Sequence, residues 1–325
     1  MTEKKQEITL SCRVDSYRSG WTVLEYLTHR FRYHPEGRWR LRILEGRVRI
    51  NGSLPASDSR VRENDRVSYT IYHNEPEVDF HYDVVYEDDH LLAVSKSGNL
   101  PVHASGIFIR NTLIATLKSR YGDHINLAHR LDRETSGLVL LTKSRVAARR
   151  LGRMFSERRV RKSYLAVVHG RAARAEFEVD APIGKAPHPV AIEPRRESMR
   201  DVESELKEDL PRYVPRRCVD FEKGKAAKTL FRVERHQDGF TVLHAEPLSG
   251  RTNQIRVHLE HAGYPIVGDK VYGDRERDRR FPGLTRQALH CRSLEFVHPM
   301  EGEGEGGVPL KLEAGVPRDL EGLIG

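Results

Sequence analysis

The segment Leu127-Ala128-His129-Arg130-Leu131-Asp132-Arg133-Glu134-Thr135-Ser136-Gly137 runs directly into Leu138-Val139-Leu140-Leu141-Thr142, and no other junction constrains the chain as much. Consecutive aliphatic residues behind a turn rich in Thr, Ser and Gly read as a buried strand. The run is far short of the ~20 apolar residues that cross a bilayer. At roughly 100–200 residues per domain, the chain length suggests two domains, one of them large enough to bury a real core. The turn holds Asp132 near the mouth of a sheet. On spacing alone, Asp132 is a turn or cap residue that accepts local backbone N–H groups.

Charge narrows the partner. The formal net charge is +8. Between Arg145 and Arg171 nine basic residues stand against one acid, Glu157, so this segment alone equals the whole excess. Arg145, Arg149 and Arg153 recur every four residues, with Leu151 and Phe155 on another side, which predicts a helix with a basic and an apolar stripe. A solvated helix face is the commoner reason for a charged run, but ordinary exposed helices mix signs. The near-absence of acids favours phosphate contact. The polar start at Met1–Glu7 has no apolar segment behind it, so no secretory signal is expected. Cys12, Cys218 and Cys291 have neither disulfide-framework nor zinc spacing. His258 and His261 share a helical face without a third ligand. The expectation from composition is a soluble, cytoplasmic protein with an anionic partner, no metal and no membrane span; charge alone leaves DNA, RNA and acidic lipid open.

Residues 1–75 are also basic, with 14 Lys/Arg against 10 Asp/Glu. Val23–Leu27 and Arg40–Leu44 predict helices and Arg47–Ile50 a strand. Asn51-Gly52 predicts a hairpin turn, and Val61–Val67 another turn with a returning strand. Helices followed by a hairpin, with Ile43–Gly52 as signature, resemble the S4 RNA-binding domain. A polar stretch with Pro76 predicts a linker at 76–81. Beyond it, Asp83–Lys96 reads as two short strands around an acidic turn. Glu193–Leu210 predicts an acidic helical insertion, extending to about 215 with Pro211 and Pro215 behind it.

Four segments in order carry a resemblance over roughly Tyr82 to Asp319. His129–Leu138 resembles the catalytic motif of the RluA-type pseudouridine synthases, which turn uridine in RNA into its C-glycoside isomer. Arg161-Lys162-Ser163-Tyr164-Leu165-Ala166 resembles the family's Lys-x-Tyr-x-Ala motif. Gly250-Arg251-Thr252-Asn253-Gln254-Ile255-Arg256 resembles Gly-Arg-Thr-His-Gln-Ile-Arg, continuing to Ile266-Val267-Gly268-Asp269. Leu289–Pro299 resembles the closing strand.

The resemblance implies an α+β catalytic domain around a mixed, mostly antiparallel central sheet (residues 82–325), preceded by the S4-like module (1–75). It implies an isomerase acting on specific uridines of structured rRNA or tRNA without a cofactor, with RNA and not DNA as its partner and a monomer favoured. It assigns Asp132 as the catalytic carboxylate, Arg256 as its salt-bridge partner, and Tyr164 as the residue that packs beside the base and takes the C5 proton. Arg130 fills the gap left by the flipped nucleotide, with Arg251, Asn253, Arg145, Arg149 and Arg153 among the substrate-binding residues. His129 is read as structural.

Cleavage of N1–C1′ builds positive charge on the sugar, as in glycoside hydrolysis, so a carboxylate suits the task. Burial would push its pKa up, and an adjacent arginine offsets this. The sequence departs from the family at Asn253, where His is usual, and at Lys96-Ser97-Gly98-Asn99, where Lys-Pro-x-Gly is usual. Asn99 is expected to keep that turn by adopting a left-handed conformation. Two other functions compete: a non-catalytic RNA-binding protein, which would not need Asp132, and an N-glycosidase, which would release free base.

Overall fold

The computed structural model describes residues 6–31, 34–73, 75–105, 108–188, 190–192, 212–214, 216–300 and 307–324. The chain divides into two compact units, Met1–Asn74 and Glu75–Gly325. The first contains β1 (Gln6–Arg13), α1 (Val23–Arg30), α2 (Glu36–Leu44), β2 (Val48–Ile50) and β3 (Arg66–His73). Thr22 and Glu25 close a capping box that starts α1. Val23, Tyr26, Leu27, Trp39 and Ile43 bury the helices' apolar stripes in a small core of their own. Asn51 and Gly52 both take positive φ, 50° and 88°, which gives the tight turn their sequence predicts. The sheet order is β1-β3-β2, all antiparallel. The sequence reading has no counterpart to β1, which pairs with β3 along its whole length.

The second unit follows with β4 (Tyr82–Glu87), β5 (Leu91–Lys96), α3 (Leu113–Tyr121), β6 (Asn126–Leu127), β7 (Ser136–Thr142), α4 (Arg145–Ser156) and β8 (Arg161–His169). Then come β9 (Glu176–Asp180), β10 (Ile183–Lys185), β11 (Val190–Ile192), β12 (Arg212–Val214), β13 (Arg217–Val219), β14 (Lys228–Gln237) and β15 (Phe240–Pro247). The chain closes with α5 (Gln254–His261), α6 (Arg275–Asp278), β16 (Leu289–Val297), β17 (Pro309–Glu313) and α7 (Arg318–Ile324). A ten-stranded sheet runs β4-β5-β7-β16-β8-β15-β14-β9, with β17 on β16 and β6 on β7. Among the described residues only the β7·β16 pair is parallel, so this is the mixed, mostly antiparallel α+β sheet that the resemblance implied. Its central strands are almost wholly apolar because both faces are covered: Leu138 to Leu141 have no solvent exposure.

The parallel crossing lies directly behind the Asp132 turn. Gly137 there has φ +104°, and a Cβ on it would stand 2.2 Å from the Cys291 carbonyl oxygen. Only glycine lets β7 begin against β16.

Asn99 does not take the expected left-handed conformation, and neither does Gly98. Gly98 is required for another reason: a Cβ would lie 2.1 Å from Arg286 Nε. The turn is shaped around an arginine, not by positive φ. The expected linker carries no regular structure but is held to the larger unit. The Glu75 carboxylate accepts the N–H groups of Arg110 and Asn111, and the Asp79 carbonyl accepts the Ser97 hydroxyl. Residues 193–211, the greater part of the expected acidic helix, lie outside the described residues; they connect β11 to β12, which pair with each other. Among the described residues no helix is long and apolar enough to cross a membrane.

Candidate active site

Asp132 stands on the loop between β6 and β7, and its neighbours are fixed one by one. Lys96 at the end of β5 donates to the Arg133 carbonyl (3.0 Å), and Arg286 donates to the Glu134 carbonyl (3.1 Å). Lys270 Nζ reaches the Glu134 carboxylate at 3.2 Å, and Gln287 Nε2 donates to Thr135 Oγ1 at 2.6 Å. Ser136 Oγ meets His290 Nδ1 at 3.0 Å. Arg286 is held in turn by both oxygens of Asp319. An irregular loop becomes rigid when its carbonyls and side chains all have donors from elsewhere.

Asp132 itself meets Arg256, 124 residues away in sequence. Nη1 of Arg256 donates to Asp132 Oδ2 at 2.9 Å, while Nε and Nη2 donate to the two oxygens of Asp269 at 2.6 and 2.8 Å. The Asp269 side chain is wholly buried and also accepts the N–H groups of Val271 and Tyr272. Burial would raise the pKa of Asp269, but Arg256 and these amides outweigh it and hold the carboxyl below its usual range. Burial would likewise lower the pKa of Arg256, but Asp269 and Asp132 reverse this and raise it. The guanidinium also lies 4.8 Å from the centre of the Tyr272 ring.

Local sequence explains how α5 delivers Arg256. Asn253 precedes the helix at φ 58°, a left-handed position that asparagine tolerates, and its Nδ2 donates to the Tyr272 hydroxyl at 3.1 Å. Where the family has His, Asn253 therefore keeps an orienting hydrogen bond. Gln254 Oε1 accepts the Arg251 N–H and the Ser249 hydroxyl, which locks the loop ahead of the helix. Arg251 turns its Nε to the Ala226 carbonyl.

Tyr164 lies on β8, opposite Cys291 of β16, and is only 8% exposed. Burial first, then Cys291 and the charge of Asp132, push its phenol well above the usual range. Arg130 is exposed, and its Nη1 lies 2.9 Å from His103 Nε2. His129 accepts the Leu140 N–H on Nε2 and packs 5.3 Å from the Phe155 ring of α4. Burial and Lys162 push its pKa down to about 3, consistent with the structural reading. His258 is tied to Thr229 and the Ala181 carbonyl, and serves packing.

On α4, Ala147, Leu151 and Met154 are buried, while Arg145, Arg149 and Arg153 are exposed. Among the described residues none of these three arginines has a carboxylate within ion-pair distance. The rest of the basic segment is less free than its sequence suggests. Arg161 pairs with Glu246 and Glu295 from neighbouring strands, and Lys162 donates to the Ser249 carbonyl. Arg161 lines a groove of about 240 Å³ in which cations and carboxylates offset one another. Asp132 does not line that groove.

Lys96 is a site residue that the motif reading passed over. It is 2% exposed, donates to the carbonyls of Ser97 and Arg133, and among the described residues has no carboxylate at contact distance. Burial, with Arg286 and Arg133 adding repulsion, pushes it down to about 7 despite Asp132 and Asp79. A lysine closing an otherwise aliphatic strand was the available signal. Tyr272 gave none.

This fold, with a buried arginine bridging a buried and a partly exposed carboxylate at the end of a central strand, defines a class, and comparison with known proteins identifies it. The RNA pseudouridylate synthase family profile matches residues 90–261, and the chain belongs to that family of RNA-modifying isomerases. It is 32% identical over 297 residues to the uncharacterized RNA pseudouridine synthase YlyB of Bacillus subtilis, covering 87% of this chain and 86% of that one. It is 31% identical over 296 residues to ribosomal large subunit pseudouridine synthase C of Pasteurella multocida, covering 88% and 81%. The structure of human RNA pseudouridylate synthase domain containing 1 shares the fold, with TM-score 0.53 and 24% identity over 78% of this chain and 98% of that one.

The depressed Lys96 has a measurable consequence. Its pKa of about 7 in the folded protein compares with about 10.4 in an unfolded chain. The unfolded state then binds more protons between these values, so stability rises with pH across that window. In urea titrations, the unfolding free energy of the wild type is expected to gain on that of Lys96→Met from pH 7 to pH 10. A constant difference would refute the depressed lysine.

Proposed function

We propose that this enzyme isomerises uridines in structured ribosomal RNA, with Asp132 as the working carboxylate. The observation that carries this reading is the chain Asp269–Arg256–Asp132, in which one buried guanidinium is fixed by the first carboxylate and aimed at the second. The reaction breaks N1–C1′, turns the base, and joins C5 to the same sugar carbon. Positive charge builds on the sugar as the bond breaks, and a carboxylate held in a partly desolvated pocket stabilises that charge or bonds to the reacting carbon. Isomerisation has no net redox change, so the roles are filled by side chains.

Arg256 holds Asp132 in place through Nη1, which donates to Oδ2 at 2.9 Å. Tyr164, in the core beside Cys291, walls the pocket against the base. A phenol kept protonated by burial is a poor acceptor for the C5 proton, so packing is the role its surroundings support best. A stacked uridine must be flipped out, at a cost of a few kcal/mol. Arg130, exposed at the loop's edge, is placed to stack where the nucleotide leaves. Arg251, Asn253 and the α4 arginines contact the RNA, and residues 1–75 add an S4-like contact. The relatives named for the ribosomal large subunit favour rRNA over tRNA. The same reading takes the enzyme as a cytoplasmic monomer.

Two experiments test the proposal. Transcribed rRNA carrying tritium at uridine C5 should release tritium without free uracil, and Asp132→Asn should abolish the release. Free uracil would indicate a glycosidase, and no release from total rRNA would reject the synthase reading. Replacing Arg145, Arg149 and Arg153 together with Gln should weaken RNA binding and reduce the log–log salt slope by about two. An unchanged slope would make the stripe a solvated surface.

A further inference from the structure

The turn after β13 presents an aromatic ring in a setting that neither the core nor the Asp132 site explains. Phe221 is 74% exposed and belongs to none of the three apolar clusters, including the small one of Ile183, Ala227, Val257 and Tyr272 beside this turn. Single exposed hydrophobics are ordinary in soluble proteins, so exposure by itself decides nothing. The construction of the turn carries the argument.

Asp220 accepts the N–H groups of Glu222 (3.0 Å) and Lys223 (2.9 Å) on one carboxylate oxygen. Its own N–H donates to the Pro182 carbonyl, and its carbonyl accepts the Gly224 N–H. Lys225 and Ile183 exchange both backbone hydrogen bonds at 2.9 Å, pinning the far end. Two glycines make room for this arrangement: a Cβ on Gly184 would be 2.3 Å from Asp220 Oδ2, and one on Gly224 would be 2.2 Å from Asp220 O. The backbone is therefore locked at both ends, and an aromatic occupies a turn position where small polar residues are usual. A ring displayed on a fixed turn loses little conformational freedom on binding.

Both chain neighbours of the ring are acidic, but the Asp220 carboxylate is taken up by the turn's own amides. Lys223 and Lys225 follow in the same turn and are exposed, as is Glu222, and among the described residues neither lysine has a carboxylate within ion-pair distance. Arg251 is tied to the same segment through the Ala226 carbonyl at 3.1 Å. The turn is also linked to the catalytic pair. The Arg217 N–H on β13 donates to the Tyr272 hydroxyl at 2.9 Å, and Tyr272 lies beneath Arg256, which grips Asp132. Four residues of extended chain, on the order of 13 Å, separate Arg217 from Phe221. That is the reach of a few nucleotides.

We propose that Phe221 is a stacking platform for an unpaired RNA base flanking the flipped uridine, with Lys223 and Lys225 on the neighbouring phosphates. An exposed aromatic face on a fixed turn that also carries two unpaired lysines, with Arg251 tied to the same segment, fits a nucleotide, whose base stacks while its phosphate is neutralised. The inference rests on the RNA-modifying reading above and extends the substrate contact beyond the target nucleotide.

The test uses the full chain and a transcribed large-subunit rRNA, with Kd read by filter binding. Phe221→Ala should raise Kd about tenfold, and Phe221→Tyr, which keeps the ring, should stay within about twofold of the wild type. A photo-crosslinking benzoylphenylalanine at this position should attach to a nucleotide within a few residues of the modified uridine. An unchanged Kd in Phe221→Ala, equal weakening in both variants, or crosslinks only to distant RNA would overturn the proposal. Tritium release by the wild type on the same RNA reports separately on the synthase reading.

Discussion

The active site depends on what Arg256 does with three nitrogens. Asp269 is a carboxylate without solvent contact, and burying such a charge costs several kcal/mol unless it is paired and hydrogen-bonded. Two guanidinium nitrogens and two backbone amides meet that need, and because the guanidinium is planar, fixing two nitrogens fixes the third. The third points at Asp132. The position of Asp132, the carboxylate proposed to react, is thereby inherited from a buried pair that stability already requires. A lysine would offer a point charge to one carboxylate and could not orient the other.

The surrounding loop follows the same logic. Its irregular backbone is tolerated at the end of a buried strand because Lys96 and Arg286 supply the carbonyl donors that a strand partner would otherwise provide, while Gln287 and Lys270 hold the Thr135 and Glu134 side chains. Lys96 makes its contribution at the cost of its own charge, which burial disfavours. Gly137 then lets β7 enter the sheet beside β16 at once. On the proposed mechanism this rigidity serves the chemistry, since a carboxylate must be aimed before the glycosidic bond is strained.

Much of this was legible in the sequence, for differing reasons. Alternation and turn residues located β4, β5 and β7, and four-residue spacing located α4 with its exposed arginines, because these signals are local. The pairing of Asp132 with Arg256 spans 124 residues and came only through resemblance to a family. Local spacing favoured a turn residue there. β1 was missed although Ile8, Leu10 and Cys12 alternate, because its partner β3 lies beyond two helices. Asn99 was misjudged because its turn is shaped by Arg286, nearly 190 positions later, and not by its own φ. The basic segment was overread at Arg161, since its carboxylates come from neighbouring strands and a count along the chain cannot see them.

The central claim is that Arg256 acts by orienting Asp132 while satisfying Asp269, and single-turnover kinetics on saturating transcribed rRNA test it most directly. Arg256→Lys keeps the positive charge but loses the fork. The account predicts that its rate of pseudouridine formation falls at least about 100-fold, the scale of losing a preorganised electrostatic contact, while thermal melting stays cooperative. A folded Arg256→Lys enzyme that converts uridine within about threefold of the wild-type rate would contradict it.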